Sequence, residues 1–370
     1  MFVFIGCTRL AGSDYPMDTK FLTLSNVTMY GIIDTGLGYT STDKGYGEDV
    51  NKFDMRSGQN SSNRFGVKGE EDLGNGVKVG FSLENGFSSD DGKLSTADRL
   101  FDREALLYVA GDFGELGMGR QGDLASGNGR YGLFGGKVSP FSTGWSDIAG
   151  HKYVMGAGFG RMDNSVTYKT PTFAGFNVLA QYSFKKDSAK EGREGSSAVD
   201  RQYALGASFT AGDLYLTGIV TQTNLKSLGQ QDVEDPLTVS LGGNYNFGVA
   251  KLYVATQYFK DSDLAVKMIQ NVEKVGEFDG FGLSVGADVP AFGGTAKVLV
   301  GYMDAEDQTS AANDVQRYTF SVGYEYPLSK RTFVYGGAGY YMDSYDKALV
   351  AGADDKASVA AVNAGLVHKF

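Results

Sequence analysis

Histidine, cysteine and proline are scarce in this chain, with 2 His, 1 Cys and 6 Pro among 370 residues. The single cysteine, Cys7, excludes an intramolecular disulfide framework and a cysteine-built zinc cluster. His151 and His368 stand far apart in sequence and form no metal-ligand spacing. No stretch approaches the about 20 consecutive apolar residues of a membrane helix. HExxH, CxxC and P-loop strings are missing as well. Gly117-Met-Gly119-Arg-Gln-Gly122 has GxGxxG spacing, but no helical period follows it, so it carries no nucleotide-binding meaning. We expect no enzyme, no resident cofactor and no metal centre, with Ca²⁺ conceivable solely in acidic external loops. A formal net charge of −10 excludes nucleic acid as a partner.

What is abundant is glycine and aromatic side chains: 53 Gly, 24 Phe and 22 Tyr. Glycine stands at about twice its usual share, without a collagen period. Residues 1–26 begin MFVFIGC, apolar but without a basic start, and are set aside as an N-terminal extension or signal remnant, a lipoprotein Cys7 being the other reading. From Val27 onward the chain alternates. Phe65, Val67, Val77, Val79, Phe81 and Leu83 share one parity, and Arg64, Gly66, Lys68, Lys78, Gly80, Ser82 and Glu84 share the other. Asn75-Gly76 between the two halves is a hairpin signal.

Sixteen strands are expected, beginning near residues 27, 60, 77, 103, 116, 160, 176, 201, 214, 237, 250, 278, 295, 315, 332 and 357. The segment 40–59 reads as a polar loop. Short connections such as 112–115, 211–213 and 291–294 alternate with long polar ones such as 88–102, 185–200 and 344–356. Tight turns therefore gather at one end and long loops at the other, the asymmetry of outer-membrane barrels. Strands of about ten residues, tilted ~45°, cover roughly 24 Å, which matches the apolar band of such barrels. A soluble β-sandwich explains the alternation, but neither the one-sided loops nor a second face this charged. The expected fold is all-β: a 16-stranded antiparallel transmembrane β-barrel over 27–370, in the bacterial outer membrane. The final strand ends LVHKF, and its terminal Phe370 resembles an outer-membrane assembly signal.

The alternation stops at 122–160, a glycine-rich stretch holding the lone tryptophan, Trp145. A loop of that length inside a compact fold is functional or disordered, and its aromatics favour a packed, functional loop. Charged residues of mid-strand parity cannot face lipid, where Arg or Lys costs roughly 2–4 kcal/mol near the midplane. Arg64, Lys68, Arg103 and Arg161 must therefore line water or pair.

SSNRFGVKGEEDLGNG, FDREALLYVAGDFGELGMGRQ and GRMDNSVTYKTPTFAGF resemble consecutive segments of Gram-negative general diffusion porins of the betaproteobacterial and neisserial type. The resemblance implies a homotrimeric channel among outer-membrane lipid and lipopolysaccharide, whose third external loop folds into the lumen. It implies Arg64, Arg103 and Arg161 as wall arginines facing that loop, with Lys68 beside them. Asp123 and Asp147 are the acidic candidates on the loop, and Arg130 and Lys137 add positive charge there. A basic wall against an acidic loop would set a transverse field across a narrow aqueous slot. The function this implies is passive diffusion of small hydrophilic solutes and ions. The alternatives are a channel selective for organic anions or sugars, and a plugged structural or adhesin barrel.

Overall fold

A computed structural model describes residues 27–226, 234–270, 277–309 and 313–370; the 1–26 extension lies outside them. In chain order the strands are β1 (Val27–Asp43), β2 (Val50–Ser57), β3 (Arg64–Gly74), β4 (Val77–Gly86), β5 (Glu104–Gly111), β6 (Gly114–Gly122), a short pair β7 (Gly144–Trp145) and β8 (Ile148–Ala149), β9 (Arg161–Lys169) and β10 (Phe176–Ser183). There follow β11 (Arg201–Ala211), β12 (Leu214–Asn224), β13 (Leu237–Asn246), β14 (Lys251–Ser262), β15 (Phe278–Ala291), β16 (Gly294–Asp307), β17 (Val315–Pro327), β18 (Thr332–Tyr345) and β19 (Lys356–Lys369).

All except β7 and β8 belong to one antiparallel, 17-stranded sheet, and β1 pairs with β19 to close it. β2 and β3 are two halves of one stave, each paired with β1, so the barrel has sixteen staves. The terminal residue seals the seam. Gly31 and Phe370 exchange both backbone hydrogen bonds at 3.1 Å.

The split stave corrects the reading of 40–59 as a loop. β1 runs on to Asp43 and β2 begins at Val50. The break lies instead at residues 58–63, and a buried carboxylate holds it. Asp34 Oδ2 accepts the backbone N–H groups of Asn60 and Ser61, each at 2.7 Å. Its Oδ1 accepts the Tyr335 hydroxyl at 2.7 Å. The chain can leave the ladder there because this carboxylate replaces the missing strand partners.

Turn chemistry and side-chain parity set the rest. Asn75 and Gly76 both have positive φ, 53° and 76°, as a two-residue hairpin turn of the primed type requires. Along β11, Tyr203 and Leu205 are exposed while Gln202 and Ala204 are buried. The same inversion runs round the wall. Leu241, Val254, Leu283, Val300, Phe320 and Val362 are exposed, and Ser240, Gln257, Ser284, Ser321 and Asn363 are buried. A soluble barrel would show the opposite. This outward apolar face is the lipid-facing surface of a membrane barrel.

Candidate functional site

Most of the buried apolar side chains among the described residues fall into three clusters, and each cluster draws on the 123–160 segment. Leu124, Phe134, Phe141, Ile148, Val154 and Met155 are at most 1% exposed. Each such side chain contributes about 1.5–3 kcal/mol by leaving water, so the segment is a packed body and not a free loop. Its partners are side chains on the polar face of the sheet. Val138 meets β13 at Gly242, Pro140 meets β15 at Gly286, and Trp145 and Phe141 meet β17 at Gly323. Ser321 donates to Ala149 O at 3.0 Å and Asn363 to Trp145 O at 3.2 Å. At the tip, Asp147 reaches Arg56 on β2 and Thr40 on β1, the latter at 3.1 Å. A segment that touches the polar faces from β10 round to β2 runs inside the closed wall.

Close approach to that wall depends on glycine. A Cβ on Gly282 would lie 1.4 Å from Val154 O, a backbone atom that cannot swing aside. Gly282→Val is expected to push the 150–156 stretch off β15 and raise single-channel conductance. An unchanged conductance in a correctly folded variant would show that this stretch does not limit the open area.

Arg64 and Arg103 meet on one carboxylate, and Arg161 is anchored on the Arg103 backbone beside them. Arg103 Nε donates to Glu84 Oε1 at 2.6 Å, and Arg64 Nη1 lies 4.0 Å from the same oxygen. Tyr30 OH donates to Glu84 Oε2 at 3.0 Å. Arg161 Nε donates to Arg103 O at 2.9 Å and has no ion-pair partner among the described residues. Lys68 projects from the same stave, its ammonium 5.2 Å from the Tyr30 ring centroid. Two guanidinium groups thus share one carboxylate, and a third is held beside them by a backbone carbonyl.

Both acidic candidates on the loop are engaged. Asp123 is 1% exposed and staples the neck of the loop. Its Oδ2 accepts Gly160 N and its Oδ1 accepts Gln202 Nε2, both at 2.9 Å. Asp147 does face the wall, but its carboxylate is bound by Arg56, a residue of the segment read as loop. Asp163 is likewise bound, by Arg99 at 2.8 Å and by Arg120. Arg130 is held by both oxygens of Glu115, at 2.5 and 2.7 Å. Lys152 on the loop has no carboxylate partner among the described residues, and burial pushes its pKa down.

Two further residues fix the loop's course. Arg317, wholly buried, donates through Nε and Nη2 to the two oxygens of Asp343 at 2.6 and 2.9 Å. Its remaining donors reach Tyr153 O at 3.2 Å, Val266 O at 2.8 Å and Lys267 O at 2.9 Å. One side chain thus ties the inner loop and the β14–β15 loop to the wall.

His151 lies wholly inside the loop, between Phe134 and Phe159 at 5.7 and 5.3 Å. Nδ1–H donates to Ser142 O at 2.7 Å, and Nε2 is buried with no partner. Burial pushes its pKa from 6.5 down to about 4. The displaced loop would bind the proton near 6.5, the packed loop near 4. Packing is therefore fully stable above about 6.5 and weakens as pH falls toward 4, by roughly 3 kcal/mol in all. His151→Leu should abolish that part of any acid-induced current noise between these pH values, as recorded in bilayers.

The string Gly282-Leu-Ser284-Val-Gly286 has GxSxG spacing. It lies inside strand β15, with Ser284 buried against Ala255 O at 3.5 Å. A hydrolase elbow needs a strand-to-helix turn, and none is here.

Comparison with known proteins agrees with this geometry. The family model described as Gram-negative porin matches residues 9–346. An outer membrane porin protein of Bordetella pertussis is 31% identical over 379 residues, covering 94% of both chains. Outer membrane porin protein 32 of Delftia acidovorans is 30% identical over 321 residues, covering 85% of this chain and 84% of that one. Among solved structures, the anion-selective porin from Comamonas acidovorans superposes with a TM-score of 0.67 at 26% identity, over 93% of this chain and 99% of that one. The exposed apolar belt, the closed sixteen-stave barrel and these matches together place the chain in the Gram-negative porin family, as a porin of the outer membrane.

Proposed function

We propose that this porin is a general diffusion channel that favours anions and does no bond chemistry. The observation that carries the reading is the meeting of Arg64 and Arg103 on a single carboxylate, Glu84, with Arg161 held on the Arg103 carbonyl and without an ion pair among the described residues, while Asp147 is spent on Arg56. Fixed cations in a narrow aqueous slot lower the energy of anions there and raise that of cations. The constriction in this reading lies between the β2–β5 wall and the 123–160 loop. The anion selectivity named for the Comamonas porin supports the same sign.

We further propose a homotrimer seated among lipid and lipopolysaccharide. The outer face of β1 and β2 presents Met29, Leu37, Phe53 and Met55, with Phe53 70% and Met29 69% exposed, a patch suited to a second subunit. The Vibrio cholerae OmpT structure described as a trimer form shares the fold at a TM-score of 0.61. Planar-bilayer recording of the folded protein should give large conductance steps that gate in threes. Folded protein that conducts nothing would favour a plugged barrel instead.

A further inference from the structure

A second cavity, of about 540 Å³, opens on the short-turn side between the inner loop and strands β9 to β14. Arg130, Lys137, Lys169 and Lys251 line it, with Asp213 as its carboxylate. Arg130 is already neutralised by Glu115. The three lysines have no ion-pair partner among the described residues. They come from three separate elements: the loop, the last residue of β9 and the first residue of β14. Lys169 stands at the opposite end of β9 from Arg161, so the cavity is distinct from the arginine cluster.

The position of Lys137 is built. Its ammonium donates to Gly132 O at 2.7 Å, and Asn244 Nδ2 donates to Lys137 O at 2.7 Å. Tyr215 OH donates to Leu133 O at 2.8 Å, which holds the preceding turn against β12. Burial, and then the charge of Lys169, pushes the Lys137 pKa down. The cross-strand neighbour of Lys251, Asp288, is taken by Lys297 at 3.1 Å and by Tyr253 OH at 2.8 Å. Like charges from three elements are thus gathered on one cavity, with Asp213 and, across the strand from Lys169, Glu115 against them.

We propose that this vestibule is an anion-binding site in series with the constriction, taking compact polyvalent anions that bear phosphate or carboxylate groups. A solute with two or more negative charges engages several ammonium groups at once, whereas chloride engages one. The vestibule therefore holds polyanions that have reached the short-turn side, and the pore is blocked by them asymmetrically.

The test is recording of the full-length channel in oriented bilayers with inorganic pyrophosphate or citrate added to one side at a time. Block from the short-turn side should require at least about tenfold less anion than block from the loop side. Lys137→Gln/Lys169→Gln/Lys251→Gln should remove that difference. Lys169→Gln alone, a variant that leaves the loop untouched, should reduce it about threefold. Arg64→Gln/Arg103→Gln/Arg161→Gln should shift the reversal potential and keep the sided block, which separates this site from the constriction. Block by both anions indicates shared recognition of charge, and block by one alone identifies its chemistry. Equal block from both sides of the wild-type pore, or a sided block that survives loss of the lysines, overturns the proposal.

Discussion

Replacing Arg64, Arg103 and Arg161 together by glutamine is expected to lower the chloride-to-potassium permeability ratio by about tenfold or more. The substitution does more than subtract charge. Glu84 stays in the wall, held by Tyr30 but without Arg103 at 2.6 Å and Arg64 at 4.0 Å. The local field then changes sign from positive to negative. Arg103→Gln alone should have the largest single effect, because Arg103 makes the direct ion pair and its loss leaves Glu84 uncompensated at 2.6 Å. Arg161→Gln should be milder, since it removes an unpaired charge and leaves Glu84 satisfied. Reversal potentials under a KCl gradient read these differences, and a ratio unchanged in the triple variant would remove the three arginines from the ion path.

Arg317→Leu is expected to destabilise the folded channel by about 3–5 kcal/mol, the cost of leaving Asp343 buried and unpaired. Arg317 and Asp343 are both 0% exposed, so solvent screens neither. Asp343 also accepts Ile269 N at 2.9 Å and Tyr345 OH at 3.1 Å, which places the consequences in two loops. Loss of Arg317 frees the carbonyls of Tyr153, Val266 and Lys267, so the variant that still folds should conduct with more open-channel noise. Arg317→Met/Asp343→Leu removes both charges and should recover much of the stability without recovering the loop contacts. The temperature at which the barrel opens on semi-native gels gives the first quantity and single-channel noise gives the second. Equal stability of the single and wild-type proteins would mean that the pair is dispensable.

Much of the barrel was legible because its physics is local. Alternation at period two, the Asn75-Gly76 turn and the short-long rhythm of connections each depend on neighbours in sequence. The split stave was not legible as such, because residues 58–63 take their hydrogen bonds from Asp34 and their support from Tyr335, far along the chain. A signal was nevertheless present: Phe53 and Met55 alternate with Asp54 and Arg56 in the stretch read as loop. Following it would have found Arg56. Arg64, Arg103 and Arg161 are singled out by the resemblance to porins, and parity adds that such charges must line water or pair. The loop carboxylates could not be oriented, because no period fixes a loop side chain. Asp123 went to the loop's neck and Asp147 to Arg56. The Arg317–Asp343 pair joins two long strands to two loops, a relation that no short window of sequence contains.

The reversal potential of the wild-type channel across a KCl gradient tests the proposed net-positive constriction most directly. Arg64 and Arg103 on one carboxylate, with Arg161, Lys68 and Lys152 without an ion pair among the described residues, predict a potential of anion-selective sign that shrinks as ionic strength rises and screening shortens. A zero or cation-selective potential from well-folded protein would contradict it.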